Sequence, residues 1–107
     1  MKNAQLISEL KTKSRRIDIA ADLAAYMHAN MFNDELRKMY HEGKISLYDW
    51  LSENVEEGLA YLGGDGLIER IEYDMILENA DCILDDILER SEDFLISEIE
   101  YAEESED

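Results

Sequence analysis

Large apolar residues recur along this chain three and four positions apart, and no stretch sustains a period of two. The first spacing marks amphipathic helices; the second would have marked strands. "QLISELKTKSRR" (5–16) reads as a short, basic, amphipathic segment. In "IDIAADLAAYMHANM", Ile17, Ala20, Ala21, Ala24, Met27 and Met31 fall on one helical face. Asn33 is placed to cap "DELRKMYHE", with Gly43 as its stop. Ser46 is placed to cap "LYDWLSENVEEGLAYL", and "GGDG" (63–66) ends that helix. Asp65 is placed to cap a last, long segment that runs to about residue 103. The expectation is an all-α fold: one domain over 1–107, a bundle of roughly four to six helices with a long acidic C-terminal helix. Residues 103–107 are expected to be a frayed acidic tail.

The long segment has two faces. At about 100° per residue, with Leu67 at zero, Tyr73, Ile76, Leu77, Ala80, Ile83, Leu84, Ile87 and Leu88 fall between about 160° and 300°. Asp74, Glu78, Asp81, Asp85 and Glu89 fall between about 320° and 40°, with Asp86 at their flank. Leu67, Ile68, Ile71, Ile96 and Ile99 lie out of phase, which predicts breaks near residue 72 and near Ser91. Ser91, followed by Glu92 and Asp93, has the composition of a helix start.

Charge makes the acidic face unusual. The 107 residues carry 10 Lys/Arg against 27 Asp/Glu, a net charge of −17. Residues 1–50 hold eight cations and seven acids, whereas residues 51–107 hold two cations and twenty acids. Like charges at i,i+4, such as Asp81–Asp85 and Asp85–Glu89, each destabilise a helix by a few tenths of a kcal/mol. The fold therefore does not require this stripe. Were residues 72–107 all helical, their fifteen acids would recur every ~3.6 Å along the axis. One strand of duplex DNA presents a phosphate every ~3.4 Å. An excess of this sign argues against direct binding of nucleic acid, whose phosphates need Lys and Arg, and against an anionic membrane. The partner it fits is basic: a cation, or a protein with a positive surface. The basic start (Lys2, Lys11, Lys13, Arg15, Arg16) reads as docking on the chain's own acids, with a contact to a partner as the other reading.

Other chemistry is sparse. Neither His28 nor His41 belongs to a Glu-x-x-His or His-Glu-x-x-His pattern, and "GGDG" lacks the alternating acids of a calcium loop. No metal, cofactor or catalytic constellation is expected. Cys82, the single cysteine, reads as packing and excludes an internal disulfide. Tyr48, Trp50 and Tyr61 read as core, with an exposed, interface-anchoring Trp50 as the alternative. "MKNAQLISELK" does not read as a secretion signal and no stretch has the ~18 apolar residues of a span. The expected location is the cytoplasm.

"DDILERSEDFLISEIEYAEESED" (85–107) resembles the acidic-hydrophobic C-terminal helix and tail of phage antirestriction proteins of the "overcome classical restriction" (Ocr) type. The resemblance implies a small, helical, homodimeric DNA mimic that fills the DNA groove of a type I restriction enzyme. Some small acidic anti-CRISPR proteins occupy nucleic-acid sites similarly. The functional expectation is thus a non-enzymatic DNA-mimic inhibitor of a host defence enzyme, in the host cytoplasm. Its contact surface would be Asp74, Glu78, Asp81, Asp85, Asp86, Glu89, Glu92 and Asp93, extended by Glu53, Glu56 and Glu57. The alternative is an acidic helical interaction module, an antitoxin or adaptor.

Overall fold

The computed structural model describes residues 8–105. It is all-α, with no strand among the described residues. After a helical turn at residues 8–10 come α1 (Lys13–Asn30), α2 (Asp34–His41), α3 (Leu47–Gly64) and α4 (Arg70–Glu78). A π-helical turn (Ala80–Leu84) then leads into α5 (Asp85–Ser105).

The caps explain most boundaries. Thr12 caps α1, so the basic "KSRR" becomes its first turn and the helix begins ahead of the apolar pattern. Asn33 accepts from the Leu36 N–H and Ser46 from the Asp49 N–H, as their positions predict. Gly43 and Gly66 take φ of 72° and 78° in the turns after α2 and α3, a region where a side chain is strained. Asp65 does not cap the last segment; it is the C-terminal cap of α3. Glu69 caps α4 instead, in a reciprocal box with Glu72.

A core of three helices, α1, α3 and α5, carries most of the packing. Arg16 meets Asp86, and one turn on Ala20 meets Ser91, so α1 and α5 run in the same direction. Phe32 meets Trp50 while Gly58 lies against Leu23 and Met27, so α3 runs the opposite way. α1 buries Ile19, Ala20, Leu23, Ala24 and Met27. Its buried face is therefore turned from the one expected, with Ile17, Ala21 and Met31 at the half-buried edge. α3 buries Leu47, Leu51, Val55, Leu59 and Leu62, and α5 buries Ile87, Leu88, Leu95 and Ile99. Each large side chain withdrawn in this way is worth about 1.5–3 kcal/mol. α4 closes one end of the core and α2 the other.

The break expected at Ser91 does not occur. Ser91 is fully buried inside α5, and its hydroxyl donates to the Ala20 carbonyl at 3.4 Å. A small residue is needed there because α1 and α5 cross closely. The interruption lies upstream, at Asn79. Its side chain donates to the Met75 carbonyl, and its own carbonyl accepts from the Cys82, Ile83 and Leu84 N–H groups. That widened turn shifts the phase of everything after it, which is why Ile99 joins the core although a uniform helix puts it out of phase. Cys82 stands exposed on this turn, not packed as expected, and Ala80 is exposed too. α5 runs on through Ser105, past residue 103 where a tail was expected to start, and Glu103 is bonded to His41; residues 106–107 lie outside the described residues.

Candidate acidic interface

On α5 the residues left facing solvent are Glu89, Asp93, Ser97, Glu100, Tyr101, Glu104 and Ser105. At about 100° per residue, Glu89, Asp93, Glu100 and Glu104 fall within about 60° of one another, a ridge of carboxylates ~22 Å long. On α3 the exposed acids are Asp49, Glu53, Glu56 and Glu57, again confined to about one quarter of the helix circumference. α3 contains no Lys or Arg, and α5 contains Arg90 only, which donates to Asp86 at 3.1 Å.

The two ridges meet at Tyr48. Its hydroxyl donates to Asp85, and its backbone N–H donates to Glu92 Oε2 at 3.1 Å. Glu92 thereby supplies an acceptor to the first turn of α3, where negative charge is favoured. The Tyr48 hydroxyl is pushed up to about 12, first by its hydrogen bond to Asp85, then by burial, then by the charges of Asp85, Glu89 and Asp49. Glu89 on one ridge and Asp49 on the other are thus both near enough to act on one phenol.

The structure divides the predicted contact residues into two groups. Glu53, Glu56, Glu57, Glu78, Asp81, Glu89 and Asp93 are exposed. Asp74, Asp85, Asp86 and Glu92 are half-buried and serve the fold. Asp74 pairs with Arg70 at 3.2 Å, and Asp86 takes both Arg90 and, at 3.5 Å, Arg16. Asp85 and Glu92 hold Tyr48. The single stripe expected from Asp74 to Glu89 is accordingly divided by the π turn. Asp49, Glu100 and Glu104 were not foreseen. A helix wheel carried uninterrupted through Ser91 would have found the last two.

The basic start is partly consumed within the molecule. Arg15 grips Glu72 with both carboxylate oxygens, at 2.7 and 2.8 Å, and Arg16 reaches Asp86. Lys11 and Lys13 are exposed, and Lys2 lies outside the described residues. Trp50 is half-buried with its ring edge-on to Phe32, Tyr48 is half-buried, and Tyr61 is exposed on the Tyr26 ring. A groove of about 290 Å³ opens between the end of α3 and the start of α4, lined by Ala60, Gly63, Gly64, Glu69, Arg70 and Tyr73. Among the described residues no group of His, Cys, Asp and Glu is gathered to hold a metal, and no helix is long and apolar enough to cross a membrane. Comparison with protein families, curated proteins and solved structures returns no match to this chain.

Proposed function

We propose that this protein is a DNA-mimic inhibitor of the Ocr kind, acting in the host cytoplasm on the nucleic-acid-binding surface of a defence enzyme. The observation that carries the reading is the pair of carboxylate ridges on α3 and α5, which meet at Tyr48 and have Arg90 as their single, already engaged cation. Magnitudes favour it. The molecule is 49 Å long and 25 by 21 Å across. A duplex of that length carries about 29 phosphates at ~1.7 Å each. A net charge of −17 is more than half of that. Such a field steers a basic groove into fast encounter, and many weak pairs then share the binding. Glu89, Asp93, Glu100 and Glu104, with Asp49, Glu53, Glu56 and Glu57, are the contact residues.

The test is inhibition of DNA cleavage by a type I restriction enzyme and by a panel of CRISPR effectors. Inhibition is expected to be relieved by excess duplex DNA and to weaken steeply with salt. The quadruple variant Glu89→Gln, Asp93→Asn, Glu100→Gln, Glu104→Gln is expected to lose it, while each single change has little effect. Full inhibition by the quadruple variant removes the ridge from the mechanism. The second reading, an antitoxin or adaptor, is favoured by the exposed apolar surface of Tyr61 and Leu67, 49% and 46% exposed. An interaction built on that surface would be insensitive to salt and to DNA.

A further inference from the structure

Of the described helices, α2 is the one held least by the rest. None of its eight residues is buried, and Tyr40 is the α2 side chain that packs against the core. It shares no broad helix-to-helix interface of the kind that joins α1 to α5. Its ends, by contrast, are completed locally. Asn33 caps the start, with Asp34 and Glu35 in the first turn. At the other end the Lys44 N–H donates to the Met39 carbonyl at 2.8 Å and the Gly43 N–H to the Tyr40 carbonyl at 3.1 Å, the paired bonds of a Schellman motif, with Gly43 in the left-handed region. Lys38 and His41 complement the dipole there. The helix therefore needs little from the body to satisfy its backbone. A short contact joins it to α5: His41 Nε2 donates to Glu103 Oε2 at 2.6 Å.

We infer that α2 is a strap which opens as a unit while the α1–α3–α5 core stays folded, with His41–Glu103 as its latch and Tyr40 as its seat. Segments with few buried contacts open at a small fraction of the global unfolding free energy. Opening uncovers the end of the core beneath Tyr40. It also releases Glu103, which lies between Glu100 and Glu104 in sequence and joins the carboxylates at that end of α5. The inference concerns the free protein and stands whether or not the ridges engage a DNA-binding enzyme.

Hydrogen exchange of the full chain, followed by mass spectrometry, tests it. Amides of α2 are expected to exchange at least about tenfold faster than those at the centres of α1, α3 and α5. Glu103→Ala is expected to raise α2 exchange about three- to fivefold and leave the core helices unchanged, as fits one partly exposed pair. Tyr40→Ala is expected to raise it further. Glu104→Ala, a neighbouring charge outside the latch, is expected to do nothing. Protection of α2 equal to that of α1 overturns the strap. A uniform rise across all helices in Glu103→Ala overturns it too, and Glu104→Ala matching Glu103→Ala overturns the latch.

Discussion

Glu72 has the least exposed carboxylate described, 1% accessible at its side chain, in a protein whose other acids mostly face water. Burial pushes its carboxyl up, but the Arg15 fork and the Glu69 N–H, which donates at 3.0 Å, outweigh that and hold it below the ordinary value of 4.5. Arg15 also donates to the Leu67 carbonyl at 3.1 Å, so one guanidinium joins α1 to the turn before α4 as well as to α4 itself. Replacing one partner leaves the other charge half-satisfied, so Glu72→Gln is expected to cost about 2 kcal/mol at neutral pH. Because the folded pKa is depressed, the unfolded chain takes up the proton first. The stabilisation is complete above pH 4.5 and is lost as pH falls through the lower, folded value. Urea unfolding of wild type and Glu72→Gln, from neutral pH into acid, is expected to show a gap that narrows as pH falls below 4.5. A gap independent of pH would mean that Glu72 stabilises by shape and not by charge.

At the scale of elements, α3 holds glycines with opposite roles. A Cβ on Gly58 would lie 2.7 Å from Leu23 Cδ1 and 3.1 Å from Met27 Sδ, both fully buried, whereas a Cβ on Gly64 would meet nothing within 4 Å. Ala gains up to about 1 kcal/mol of helix propensity over Gly. Overpacking a tight crossing costs about 1–3 kcal/mol. Gly58→Ala is therefore expected to destabilise by about 1 kcal/mol and Gly64→Ala to stabilise by a few tenths; thermal melts that reverse the two signs would refute the close α1–α3 crossing. The same contrast explains what was legible in the sequence. Asn33, Gly43 and Ser46 could be read because a cap is set by its own neighbours. Ser91 could not, because its role depends on Ala20, seventy-one residues away. The π turn at Asn79 was hidden by the assumption of a constant angle per residue. For the acidic surface, Glu89 is visible from periodicity, and Glu53, Glu56, Glu57 and Asp93 from the excess of acids around it, whereas Asp49 gives no such signal. The bonds of Asp85 and Glu92 to Tyr48 and of Asp86 to Arg16 are not legible in the sequence, because the partners come from distant segments. The Asp74–Arg70 and Asp86–Arg90 pairs, both at i,i+4, are legible in the sequence.

On the scale of the whole molecule, the charge proposed to serve a partner opposes the fold. The ridges contain like-charge pairs at i,i+4, Glu89–Asp93 and Glu100–Glu104 on α5 and Asp49–Glu53 and Glu53–Glu57 on α3, each costing a few tenths of a kcal/mol. Arg15, Arg16, Arg70 and Arg90 pair with Glu72, Asp86 and Asp74, none of them a ridge acid, and Arg37 and Lys44 pair with Asp34 and Glu42. Raising sodium chloride shortens the screening length from about 10 Å at 0.1 M to about 3 Å at 1 M. The free protein is therefore expected to melt several degrees higher over that range, while its affinity for a basic enzyme falls. Stability and affinity with opposite salt slopes are what one set of carboxylates must produce if it is kept for binding. The quadruple ridge variant carries this further. Removing two repulsive pairs on α5 is expected to make it about 0.5 kcal/mol more stable than wild type, with a flatter salt dependence, and on the proposed function to abolish inhibition. Calorimetric scans of the two proteins at low and high salt decide the matter. A variant that is less stable than wild type would show that the ridge supports the fold, and its loss of inhibition would then say nothing about binding.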